Sequence, residues 1–230
     1  MGWHPIWRAR DYASMVRLQA GGIVTRARPD DLEEPPAPVG PPVVLVPGVY
    51  ETWRFLWTLG VHLHARGVRV HFVPELGINR APIPDSAAIL SAYLTRHDLH
   101  DVVLVAHSKG GLIGKLAMTS LDPEGRVASL VAVNSPFAGS TLARLIPLTA
   151  VRTFAPKHPA IVALDAERAV NARITSVRSR WDPHIPGARD LDGAEQLILE
   201  TPGHFRPVTD PALERLLLTR LTAQADERES

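Results

Sequence analysis

The sequence predicts an α/β fold with a central, mostly parallel sheet of about six strands and helices on both faces. Two observations lead there. Short, nearly continuous apolar runs recur along the chain, as in strands buried on both faces. Helix-like stretches separate them, as parallel crossovers require. A third observation picks out one turn. The third of these runs, Val102-Val103-Leu104-Val105, leads straight into Ala106-His107-Ser108-Lys109-Gly110-Gly111 and then into a helical stretch.

Residues 1–39 read as an extension. Tyr12, Met15 and Val16 share a face at i, i+3, i+4 spacing and predict a short helix over Tyr12–Ala20, ended by Gly21-Gly22. Pro29-Asp30-Asp31-Leu32-Glu33-Glu34-Pro35-Pro36-Ala37-Pro38 is acidic and proline-rich, a composition that breaks ladders and reads as a linker. The plain expectation is a helix packed on the domain surface. The sharper one is a flap near the active site, or a weak membrane-surface contact through Trp3, Ile6 and Trp7.

The main domain is expected over residues 40–222. Its strands are Val43–Val46, Val68–Phe72, Val102–Val105, Leu130–Val133, Ile174–Val177 and Gln196–Leu199. Residues 223–230 read as a polar C-terminal tail.

Bulk properties exclude several classes. The 230 residues carry 25 Lys plus Arg against 24 Asp plus Glu, a net charge of +1 with the basic residues scattered. That balance argues against nucleic-acid binding. The absence of cysteine removes disulfides, thiolate metal sites and cysteine nucleophiles, and no metal or cofactor is expected. No apolar run reaches the roughly 18 residues of a membrane span, and the first residues lack a signal-peptide pattern. The expected location is cytoplasmic. Nothing in the sequence bears on oligomeric state.

The turn around Ser108 has the strand–turn–helix context of a nucleophile elbow. Bulky residues two positions either side of such a serine would collide with neighbouring elements; Ala106 and Gly110 occupy those positions. Gly111 and Gly114 allow the helix to approach the sheet. Lys109 could suggest a Ser–Lys dyad, but the residue after an elbow serine is expected to offer its backbone N–H instead. Acyl transfer places negative charge on an oxygen and needs fixed donors aimed at it. Those expected are the amides of Lys109 and of Val49, in the Pro47-Gly48-Val49-Tyr50 loop after the first strand.

A serine hydroxyl needs a histidine to take its proton and a carboxylate to orient that histidine. Asp182 follows the fifth strand and His204 follows the sixth, in the order serine, acid, histidine. The competing acids are Asp165, Asp190 and Asp192. The competing bases are His184 and, before the serine, His62, His64, His97 and His100.

These landmarks, with Asn134-Ser135-Pro136-Phe137-Ala138-Gly139-Ser140, resemble those of α/β-hydrolase fold lipases and esterases, nearest the compact bacterial triacylglycerol lipases. Phe137 departs from that family's wording, in which a histidine follows the proline, and Ala106 departs from its usual glycine. The resemblance spans about residues 40–222. It implies an esterase or lipase-like serine hydrolase with Ser108 as nucleophile, His204 as base and Asp182 as orienter, acting on a small-molecule ester or lipid-like substrate. The alternatives are an acyltransferase, thioesterase or amidase with the same chemistry, or a binding protein on the same fold. Tyr50, Trp53, Phe137 and Leu142 are the expected substrate-contacting residues, and residues 141–170 a small cover over the site.

Overall fold

The computed structural model describes the backbone of residues 4–24 and 26–229, and their side chains except at 22, 23 and 225–229. Among the described residues six strands form one parallel sheet: β1 (Val43–Val46), β2 (Val70–Phe72), β3 (Val102–His107), β4 (Val127–Val133), β5 (Ile174–Ser179) and β6 (Glu195–Leu199). Their order is β2-β1-β3-β4-β5-β6. Each expected strand is present: β1 has the expected bounds, and each of the other five has one end shifted by one to three residues.

Helices α2 (Trp57–His64), α3 (Ile83–Arg96), α4 (Lys109–Leu116), α5 (Thr149–Arg152), α6 (Pro159–Ala166) and α7 (Pro211–Glu229) follow α1 (Pro5–Val24). Period-two alternation sends strand side chains to two separate cores. Val44, Val46, Leu104 and Ala106 meet α3, α4 and α6 on one face. Val43, Leu45, Val103 and Val105 meet α1, α2 and α7 on the other. Both faces are therefore covered, which is why the strands read as continuous apolar runs.

The topology positions the site. From β1 the chain crosses to β2 on one side, and from β3 it crosses to β4 on the other. The carboxyl ends of β1 and β3 diverge at this switch point, where open α/β sheets form their crevice. The loop after β1 and the Ser108 turn after β3 both lie there.

Two segments differ from expectation. Helix α1 starts at Pro5 and runs past Gly21 to Val24. Proline suits a first helical turn, and two glycines at roughly 1 kcal/mol each do not end a helix that is anchored by tertiary contacts. Leu18 is buried in the core, and Gln19 Nε2 donates to Tyr50 O at 2.9 Å. At the other end α7 continues through residues 223–229, where the sequence reads as a tail. No helix among the described residues is long and apolar enough to cross a membrane. Ile6 is exposed and Trp7 stacks on His4, while Trp3 lies outside the described residues.

Candidate active site

Ser108 sits between β3 and α4 with φ +50° and ψ −118°. A non-glycine residue there is strained by about 1–3 kcal/mol, and such strain persists only where the surroundings impose it. The surroundings are tight. A Cβ at Gly110 would lie 2.3 Å from Val46 O, and one at Gly111 would lie 2.1 Å from Ser135 Oγ. The small residues of the turn are thus a condition of its packing.

The three residues proposed from chain order come together. Ser108 Oγ is 3.0 Å from His204 Nε2, and His204 Nδ1 is 2.7 Å from Asp182 Oδ2. A carboxylate can only accept, so the imidazole proton belongs on Nδ1 and Nε2 presents its lone pair to the serine hydroxyl. Asp182 Oδ1 accepts from the amides of His184 at 2.7 Å and Ile185 at 3.1 Å. Burial works to raise the Asp182 pKa, but the charge and hydrogen bond of His204 and the amide and charge of His184 outweigh it and hold the carboxyl below its ordinary value. For His204, burial works downward; the charge and hydrogen bond of Asp182 and the charges of Glu51 and Asp11 outweigh it and leave the pKa raised.

Four residues of this network carried no role in the sequence reading. Asp11 accepts from the backbone amide of His204 at 2.8 Å, of Phe205 at 2.9 Å and of Arg206 at 3.1 Å. His107 Nε2 donates to His204 O at 2.9 Å, and its Nδ1 faces Glu51 Oε1 at 2.9 Å. Asn134 Nδ2 donates to Gly203 O and His204 O, while its Oδ1 accepts from Ser179 N at 2.8 Å. The main chain and both ring nitrogens of His204 are all engaged.

Lys109 Nζ points away from Ser108 and donates to Asn79 O, Asn79 Oδ1, Ala81 O and Ser86 Oγ. Burial pushes its pKa down to about 8 against the pull of Asp85. The side chain therefore staples α4 to the loop before α3 and is not the partner of Ser108.

A cavity of about 270 Å³ opens in front of Ser108 and His204. Val49, Tyr50 and Leu142 line it. So do Ala143, Ile146, Leu148, Val151 and Phe154, so the first half of the expected cover, residues 142–154, lines the site, and residues 155–170 do not. Helix α1 contributes Tyr12, Met15 and Gln19.

Trp53 and Phe137, expected at the substrate, are not on this wall. Trp53 packs with Trp57 and Phe72 in the core beside α2, and Phe137 is buried beside Lys115. Both are large apolar groups for which the interior offers more contact than the cavity edge.

The competitors are placed elsewhere. Asp190 pairs with Arg178 and Asp192 with Arg168. Asp165 is exposed. His62 pairs with Glu214, His64 meets Glu33 O, His97 stacks on Tyr93, and His100 pairs with Asp98. His184 does line the cavity, its ring 4.9 Å from that of His204. Burial, then the neighbouring His204, lowers its pKa to about 4, so it is neutral at pH 7. No cluster of metal-ligating side chains is present among the described residues.

No protein-family model matches the sequence, and no curated protein sequence matches it significantly. Solved structures do match. The mature lipase BlEst2 of Bacillus licheniformis superposes with a TM-score of 0.68 at 19% identity, over 81% of this chain and 94% of that one. An α/β-hydrolase fold protein from Burkholderia ambifaria gives 0.61 at 20% identity, over 80% and 92%. A monoacylglycerol lipase from Paleococcus ferrophilus gives 0.59 at 14% identity, over 80% and 96%. At these identities the likeness speaks to the fold, and with the parallel sheet and its strand order it is decisive: this chain has the α/β-hydrolase fold.

Proposed function

We propose that the protein is a serine hydrolase that cleaves a carboxylic ester through an acyl-enzyme on Ser108. The observation that carries this reading is the continuous line from Asp182 Oδ2 through His204 to Ser108 Oγ, at 2.7 and 3.0 Å, facing an apolar cavity.

In this reading His204 Nε2 takes the Ser108 proton as Oγ attacks the ester carbonyl. Asp182 stabilises the imidazolium that forms. The oxygen of the tetrahedral intermediate is received by backbone donors. Lys109 N is suited to this, as the first amide of α4 and so without an intrahelical acceptor. In the loop after β1, Glu51 Oε2 takes the Gly48 amide at 2.6 Å. The next amide belongs to Val49, which lines the cavity. Collapse of the intermediate expels the alcohol, which takes its proton from His204. A water, deprotonated by His204 in turn, then releases the acid and restores Ser108.

The cavity wall favours an apolar acyl or alcohol group, and its volume of about 270 Å³ falls just below that of ordinary ligand pockets, roughly 300–1,000 Å³. An ester of short to medium chain is therefore the expected substrate. The structural neighbours named as lipases are consistent with an ester substrate. Turnover of p-nitrophenyl esters of graded length tests the reading. A maximum at short to medium chains supports it, and a folded protein that turns over none of them contradicts it.

A further inference from the structure

Helix α1 touches three separate loops of the site along one face. Trp7 meets Trp181, beside Asp182, with ring centroids 5.7 Å apart. One turn later Asp11 accepts the amides of residues 204–206. Two turns after that, Gln19 binds Tyr50 O, in the loop after β1. Residues 7, 11, 15 and 19 are spaced by four and share a face; of these, Met15 and Gln19 line the cavity, as does Tyr12 beside Asp11.

Asp11 is the most constrained of them. It is wholly buried, and a carboxylate taken out of water this way requires donors. Its three donors, the amides of residues 204, 205 and 206, come from the histidine loop, 193 to 195 residues away in sequence. The loop is shaped to admit it. Gly203 has φ +125°, and a Cβ there would lie 2.3 Å from Asp11 Oδ1. The His204 carbonyl is held by His107 and Asn134. Its amide is held by Asp11 alone among these groups, so Asp11 fixes the remaining freedom of the peptide that carries the imidazole.

We propose that α1 is an integral part of the active site and that Asp11 is the positioning residue that holds His204 in line with Ser108. This rests on the reading of Ser108 as nucleophile. Asp11 touches no substrate; it acts through the His204 backbone, and through its charge. The charged and titratable groups facing His204 are Asp182 and His184 from the loop after β5, Glu51 from the loop after β1, His107 from β3, and Asp11 from α1, with Arg8 of α1 acting on His184. Asp11 is among the carboxylates that hold the His204 pKa up.

The test is Asp11→Asn in the full chain, with circular dichroism and melting to verify folding, and ester turnover followed from pH 4 to 9. Misplacing the imidazole lowers kcat, by about tenfold or more, with KM within about twofold. Removing the charge moves the acid limb of kcat/KM to lower pH, a shift that a merely structural role for Asp11 does not produce. A folded Asp11→Asn protein with wild-type kcat and an unmoved limb overturns the proposal while leaving Ser108 as nucleophile. A wild-type protein that neither turns over esters nor reacts with a fluorophosphonate defeats the reading of Ser108 and the proposal with it. Should Asp11→Asn fail to fold, amide exchange in the wild-type protein decides. Protected amides at residues 204–206 support the anchor, and exchange at the rate of an open loop overturns it.

Discussion

Two buried carboxylates hold His204, and they do so differently. Asp182 grips the imidazole through Nδ1 with one oxygen and braces its own loop with the other. Asp11 grips the backbone with both oxygens and makes no hydrogen bond to the ring, which it reaches only through its charge. In the proposed mechanism Asp182 sets the tautomer and stabilises positive charge, and Asp11 sets where the ring is presented. Orientation of the histidine is then divided between a partner in the loop after β5 and one in α1.

The largest effects should fall on the reacting atoms themselves. Ser108→Ala and His204→Ala are each expected to lower kcat by about 10⁵-fold or more, with the double variant little worse, since the groups act as a unit. Pre-steady-state and steady-state kinetics check this, and additive losses would mean that the two residues do not share a step. Asp182→Asn comes next, at about 10³- to 10⁴-fold in kcat, because an amide can favour the wrong imidazole tautomer. Its folding should be near normal.

Breaking the other grip should cost less. Gly203→Ala drives a Cβ toward Asp11 while leaving the Asp182 contact in place. A loss of kcat of about tenfold is expected, together with a lowered melting temperature. Equal losses in Gly203→Ala and Asp182→Asn would erase the distinction drawn here.

The pH profile sharpens the comparison without a large change in rate. A protonated His204 cannot take the serine proton, so activity falls as pH drops through its pKa. That pKa is raised, so the acid limb of kcat/KM should lie above the ordinary histidine value of about 6.5. The smallest effect is reserved for His184→Gln. His184 titrates near 4 and is already neutral over the working range. Its replacement should leave the acid limb above pH 5 in place and change KM modestly, because the ring lines the cavity.

Much of this arrangement could be read from local pattern. The strands β1 and β3 are uninterrupted β-branched and aliphatic runs, and Ser108 follows one of them among residues too small to obstruct a tight turn. Asp182 and His204 each follow a strand, in an order that the fold dictates. Asp11 could not be read that way. It lies in a helix whose apolar periodicity covers only Tyr12–Ala20, and a buried aspartate leaves no periodic signature when its donors are amides some 190 residues distant. Glu51, His107 and Asn134 are similar cases, since Glu51 meets the His107 ring, and His107 and Asn134 meet the His204 loop, only once the sheet has brought those segments together. Trp53 and Phe137 erred in the opposite direction: loop aromatics beside a site suggest a substrate wall, but packing drew both into the interior.

The most direct test of the central claim is covalent. A fluorophosphonate probe offered to the wild-type protein should form a single adduct, mapped by peptide mass spectrometry to Ser108 and absent from Ser108→Ala. Labelling that persists in Ser108→Ala, or that maps to another residue, would contradict the assignment of the nucleophile on which the rest is built.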